Sequence, residues 1–348
     1  MPPSAADRRA KQDRLRALRA ELDTSAILLT SHEAIAWYLD GVRTHVSLAG
    51  PPVLAVRATD DGDALYVSAN EADRLIGEEL LDTDAAAVVP VPWQTPPATA
   101  AAAAGPGVAE SDIAAQLRAA RAELLPAETA RYRALGREVA EVLTDAASGL
   151  SSATTERDAA AALAAGLVTR GIDPLVVLVA GTRRLPHRHP LPTAAPLGER
   201  AMLVVCGRRS GLIANATRWV GVPGADDERI LAVEAAFFDA TRPGARLDDA
   251  FTAGCRGYAA AGFDPDEWRR HHQGGAAGYA GRDPRATAET ADVVRAPHAF
   301  AWNPSAPGAK VEDTVLVTDA GIEVLTVDER WPTVRFGGLL RPVARPFG

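Results

Sequence analysis

Two pairs of histidines, two single cysteines and one hairpin with a polar end are the parts of this chain whose residue types can do chemistry. His187 and His189 stand in the polar loop LPHRHPLP. An imidazole with a pKa of about 6.5 can take up and release a proton at neutral pH without a metal. His271 and His272 are adjacent, so in an extended chain they point to opposite faces and at most one reaches a given pocket. Cys206, close to Arg208 and Arg209, would need a base and an electropositive setting to act as a nucleophile. The alternative is a buried, inert thiol, the commoner state of a free cysteine. Residues 203–219, LVVCGRRSGLIANATRW, read as two strands about a short turn, the second ending in Asn215, Thr217 and Arg218.

The elements that must position these residues follow from periodicity. Leu15, Leu18 and Leu22 among Arg and Glu predict an amphipathic helix over 10–22. A strand is expected over 26–30, then a short helix capped by Ser31 and stopped at Gly41. Segments 53–57 and 64–68 flank the turn TDDGD, a hairpin signal. A helix over 70–81 and a strand over 88–91 complete a small α/β domain, assigned to residues 1–108. Its last part, residues 95–107 (TPPATAAAAAGPG), reads as a Pro/Ala/Gly-rich linker. Residues 109–348 form the second domain. Helices are expected over 111–124, over 127–147 with Pro126 in the first turn, and over 156–170 after Thr155 and before Gly171. The strand 175–180, the histidine loop and the hairpin follow. Two more helices (226–241, 247–261), a Gly-rich segment (273–281) and strands over 293–302, 313–318 and 323–326 end the chain. Helices and hairpins come in blocks, unlike βαβ alternation, so the class is α+β.

A length of 348 residues exceeds the usual single domain and supports this division. The net charge of −8 and the lack of a basic tract argue against nucleic-acid partners. Two cysteines without a CxxC pair indicate neither a disulfide framework nor a thiolate zinc site. No apolar run approaches a membrane span, and MPPSAADRRAKQDR lacks the core of a signal peptide. A cytoplasmic protein without membrane partners is expected.

Five segments, in order, carry a resemblance: DTSAILLTSHEAIAWYLDG, LPHRHPLP, GLIANATRW, HHQGGAAG and WNPSAPGAKVEDTVLVTDAGIEVLT. Together they resemble the creatinase/aminopeptidase P/prolidase family. The resemblance implies a C-terminal pita-bread domain preceded by a small creatinase-type N-terminal domain, usually in a homodimer. Its metallopeptidase members hold two divalent metals with two Asp, one His and two Glu. Carried over, the first Asp falls on Val204 or Val205, the second on Asn215, the His on Gly275 and the first Glu on Asn303. Only Glu312 remains. One carboxylate cannot hold two dications about 3.5–4 Å apart, so no metal and no other cofactor is expected. His187 matches a family active-site His and is the expected catalytic residue. Arg282, at a later family His, can clamp a carboxylate through its planar fork or pair with Asp283. Asn215, Asn303 and Glu312 would complete a substrate-binding set, and the space at Gly275 would admit ligand or be filled by a neighbour such as Tyr279. Arg218 is expected to have a structural partner.

Three functions are compatible with this reading. The first is a metal-independent, creatinase-like hydrolase or lyase acting on a small C–N-containing (amidino, amide or amino-acid-like) molecule. The second is a non-catalytic pseudo-peptidase whose cleft binds a small molecule, a short peptide or a protein. The third and weakest is an Xaa-Pro aminopeptidase or dipeptidase.

Overall fold

The computed structural model describes residues 3–348, which divide into two compact units, one of residues up to Arg131 with Ser210–Leu212 and one of the remainder. The boundary falls inside the helix Pro126–Ala147 rather than near residue 108.

The first unit is built on a five-stranded sheet: β1 (Ala26–Leu29), β2 (Leu54–Thr59), β3 (Gly62–Ser68), β4 (Val88–Val91) and β5 (Val108–Ala109). The order is β4-β3-β2-β1-β5, with β1–β2 and β2–β3 antiparallel and both outer pairs parallel. The first helix runs Ala5–Glu21, five residues earlier than its leucines suggest, because the Ser4 hydroxyl accepts from the Asp7 N–H and starts it there. Ser31 caps the helix His32–Tyr38, its hydroxyl accepting from the Ala34 N–H at 3.2 Å. Ser31→Ala is expected to lower stability by about 1 kcal/mol, read as a shifted urea midpoint with an unchanged slope.

Two expectations are modified in this unit. The helix expected over 70–81 spans Ala72–Glu79 only, an α-turn Ala72–Arg74 passing directly into the wider π-helical turn Leu75–Glu79. The stretch taken for a linker contains the helix Pro97–Ala103, whose Ala101 is fully buried against the sheet, and β5 then joins that sheet. Under the helix Ala5–Glu21 the Lys11 ammonium is enclosed between Asp40 (2.6 Å) and Glu128 (2.7 Å), and Arg131 holds Asp40 with two hydrogen bonds.

The second unit repeats one theme, two helices followed by antiparallel strands. The helices Pro126–Ala147 and Glu156–Thr169 precede β6 (Asp173–Gly181), β7 (Arg200–Arg209) and β8 (Leu212–Gly221), which lie side by side in that order. The helices Asp227–Ala240 and Leu247–Ala260 precede β9 (Gly274–Ala276), β10 (His298–Trp302), β13 (Val315–Thr318) and β14 (Gly321–Val324), with sheet order β14-β13-β10-β9. The short pair β11 (Ser305–Ala306) and β12 (Ala309–Lys310) lies between β10 and β13, and β15 (Thr333–Phe336) pairs with β16 (Leu339–Pro342) near the end.

Packing fixes these parts closely. A Cβ on Gly254 would stand 2.0 Å from the Phe237 ring, so the last two helices meet through a bare backbone. Phe237 stacks on Trp302 with ring centres 4.5 Å apart. An antiparallel bridge between Ala216 and Asp313 ties the first sheet to the segment leading into β13.

Candidate functional site

The hairpin β7–β8 brings the chemistry-bearing residues together by alternation. Val204 and Cys206 on β7, and Ile213 and Asn215 on β8, face one side, and a cavity of about 440 Å³ opens there. Arg282, Arg285, Asn303, Lys310, Glu312, His189 and His272 complete its polar lining. Val205 is buried away from this side, so of the two candidate positions for the first carboxylate it is Val204 that faces Asn215 across the cavity. A cavity of similar size, about 470 Å³, shares Lys310 with it and has Trp219, Ile230, Val311, Val334 and Phe336 in its lining. The first cavity is the better candidate because its polar groups converge.

Glu312 is its electrostatic centre. One carboxylate oxygen accepts from Arg282 at 2.6 Å; the other meets Lys310 Nζ at 3.0 Å and accepts from the Thr217 hydroxyl at 3.0 Å. Burial favours the neutral acid, but Lys310 and Arg282 outweigh it and hold the pKa down at about 2. Arg282 thus pairs with Glu312 across the cavity, not with its neighbour Asp283. Lys310 and Arg285 were missed in the sequence. Lys310 was legible, since residues two apart in an extended chain share a face and Glu312 was already a candidate.

The amides are less satisfied. Asn215 is held by its backbone, whose N–H donates to Thr314 Oγ1 at 2.7 Å, while both polar atoms of its side chain are buried without a partner. Asn303 Oδ1, His272 Nδ1 and Arg282 Nε are also buried and unpartnered. Such groups normally find a partner, so several around one cavity call for an explanation.

His187 is not among them. It is exposed, its backbone N–H donates to Arg184 O, and it lines a small separate cleft with Arg188, Met202 and Trp219. His189, two residues on, is the loop histidine that reaches the cavity. Its Nε2 lies 3.1 Å from His271 Nε2, and the His271 and His272 rings are only 4.5 Å apart despite being adjacent in sequence. Burial pushes His271 down to about 2 and His272 to about 3, and lowers His189 as well. Burial pushes the Cys206 thiol up to about 12, which disfavours the reactive thiolate at neutral pH.

Gly275 leaves no hole. At φ +139° its backbone lies so close to the following loop that a Cβ would stand 2.6 Å from Pro284 O and 2.7 Å from Ala286 N. The space expected there, open or filled by Tyr279, is occupied by main chain. Arg218 has the structural partner expected of it: its guanidinium donates to Asp313 at 2.8 Å, and Asp313 also binds Arg341, which in turn grips Glu234.

No protein-family model matches the sequence, nor does any curated protein. Solved structures do. Dipeptidase PepE from Mycobacterium ulcerans superposes with a TM-score of 0.76 over 99% of this chain and 100% of its own, at 18% identity. The prolidase from Pyrococcus horikoshii OT3 gives 0.73 over 92% and 99%, at 16% identity. The N-terminal domain of FACT complex subunit SPT16 from chickpea gives 0.61 over 93% and 98%, at 12% identity. This chain therefore has the α+β pita-bread fold of prolidase-type proteins, with an N-terminal domain before it. Among the described residues no helix is long and apolar enough to cross a membrane.

Proposed function

We propose that this chain is a pita-bread protein whose cavity binds a small, carboxylate-bearing molecule, and that it is not a dinuclear metallopeptidase. The fold occurs both in peptidases and in a subunit of a protein complex, so the choice rests on the site. The residues at the five inferred ligand positions do not fit a pair of divalent cations. Val204 and Gly275 offer no donor, Asn215 and Asn303 carry no charge, and both oxygens of Glu312 are engaged by cations or a hydroxyl.

The observation that carries the binding reading is the set of orphaned polar atoms on Asn215, Asn303 and Arg282 around one cavity. A ligand with both donors and acceptors would satisfy them. Its charge follows from the lining: Arg282, Arg285 and Lys310 exceed Glu312, which favours an anion and disfavours an amidinium group. The creatinase-like hydrolase reading is weaker on the same grounds. The histidines in the cavity are poor bases at neutral pH, their pKa values being held low, and His187 is elsewhere.

Calorimetric titration with succinate, free proline and the dipeptide Ala-Pro tests this. At least one of the three is expected to bind, with affinity at least tenfold weaker in Asn215→Leu and in Arg285→Gln, and weaker in high salt. Binding that both substitutions leave unchanged, or hydrolysis of Ala-Pro dependent on two equivalents of metal, would overturn the proposal.

A further inference from the structure

We propose that His189, His271 and His272 form a site for one transition-metal ion of the Zn²⁺, Co²⁺ or Cu²⁺ class at the edge of the cavity. None of these residues is among the five positions already weighed, and the assignment does not depend on the ligand class proposed above.

The geometry approaches that of a mononuclear three-histidine centre. One ring nitrogen from each residue lies within 4.8 Å of the other two. Bonds of about 2.0–2.1 Å to a tetrahedral ion place such nitrogens about 3.3 Å apart. His189 and His271 Nε2 already stand at 3.1 Å, and the remaining adjustment brings the His272 nitrogen toward that pair. Two imidazole nitrogens at that distance either share one proton or turn both lone pairs toward a common ion.

The surroundings orient His271 as the outer shell of a metal site does. Its Nδ1 lies 3.0 Å from Ser305 Oγ, so protonation there leaves Nε2 free to ligate. Ser305 is itself fixed, since its backbone N–H donates to the Tyr258 hydroxyl, which donates to Gln273. The second observation is His272 Nδ1, buried and without a partner. Three neutral nitrogen donors suit zinc, cobalt or copper and not magnesium or calcium. They leave a fourth position open, and the cavity lined by His189 and His272 borders it. Lys310 and Arg285 oppose a cation there but favour an anion as the fourth ligand, while Glu312 attracts the ion.

The test uses the metal alone. The full chain, stripped with EDTA, is titrated with Co²⁺ and with Zn²⁺ and followed by metal analysis and the visible absorption of bound Co²⁺. One equivalent is expected, with the intense bands of a four- or five-coordinate ion. His189→Ala, at an exposed loop position, is expected to weaken binding at least 100-fold. Ser305→Ala is expected to weaken it about tenfold, as for other outer-shell partners of a metal-bound imidazole. The proposal is overturned if neither ion is taken up, if two equivalents bind, or if uptake is the same in His189→Ala and His272→Ala as in the parent.

Discussion

Replacing Glu312 by Gln is expected to lower stability by about 3 kcal/mol at pH 7 and to flatten its acid dependence. The carboxylate lies 3% exposed between Arg282 and Lys310, and its pKa falls from an ordinary 4.5 to about 2 on folding. A depressed carboxylate contributes stability that is complete above the unfolded pKa and lost as the pH falls through the folded one. The window is therefore about pH 4.5 down to 2, and a shift of that size corresponds to about 3 kcal/mol. Gln preserves the shape but leaves two buried cations without their shared anion, a change that costs about 3–5 kcal/mol in other proteins. Urea unfolding at pH 7, and again between pH 5 and 3.5, measures both effects. A variant as stable as the parent at pH 7, with the same slope in acid, would show that Glu312 does not hold these cations together.

Restoring an imidazole at Gly275 is expected to damage the fold rather than create a metal site. The obstacle is the Cβ, so Gly275→Ala already shows it. That atom would meet Pro284 O at 2.6 Å and Ala286 N at 2.7 Å, both main chain, at a φ of +139° that L-residues rarely adopt. Backbone strain of about 1–3 kcal/mol adds to an overpacking cost of similar size. Gly275→Ala should lose about 3 kcal/mol or more, a melting point lower by roughly 6–12 °C for a unit of this size. Gly275→His should be at least as damaged and should gain no metal in exchange. Gly278→Ala, where a Cβ would meet nothing within 4 Å, is the control and should change little. Equal melting points for the three variants would remove the steric account.

Much of the architecture could be read from the sequence where one physical signal dominated. Ser31 and Thr155 start helices as their hydroxyls dictate. The hairpin about TDDGD and the blocks of helices before strands are present. Departures came where signals conflicted. Pro96, Pro97 and Gly105 marked residues 95–107 as linker, yet Pro suits the first turn of a helix and Ala is its best former, so Pro97–Ala103 is helical. Leu75, Leu80 and Leu81 had helical spacing over 70–81, but a wider turn intervenes.

At the site, the family resemblance alone grouped Asn215, Asn303, Glu312 and Arg282, and the four side chains line one cavity. The partner of Arg282 could not, since Glu312 lies thirty residues away and meets it only in the fold. Nor could His187 be separated from His189: in a loop no period decides which of two neighbours turns inward. The crowding at Gly275 depends on the path of a different loop and leaves no local trace beyond the glycine itself.

Glu312 and Asp313 are sequence neighbours that serve opposite sides of one strand-like segment. The first answers Arg282 and Lys310 at the cavity; the second answers Arg218 and Arg341 in the interior. Thr217 binds the segment from β8 through its backbone N–H to Glu312 O as well as through its hydroxyl. Rolling this segment about its long axis would pull both sets of ion pairs apart at once. The floor of the cavity therefore behaves as a torsionally locked beam. An incoming anion can draw Arg282 or Lys310 toward itself only against a strut anchored, one peptide away, in the core.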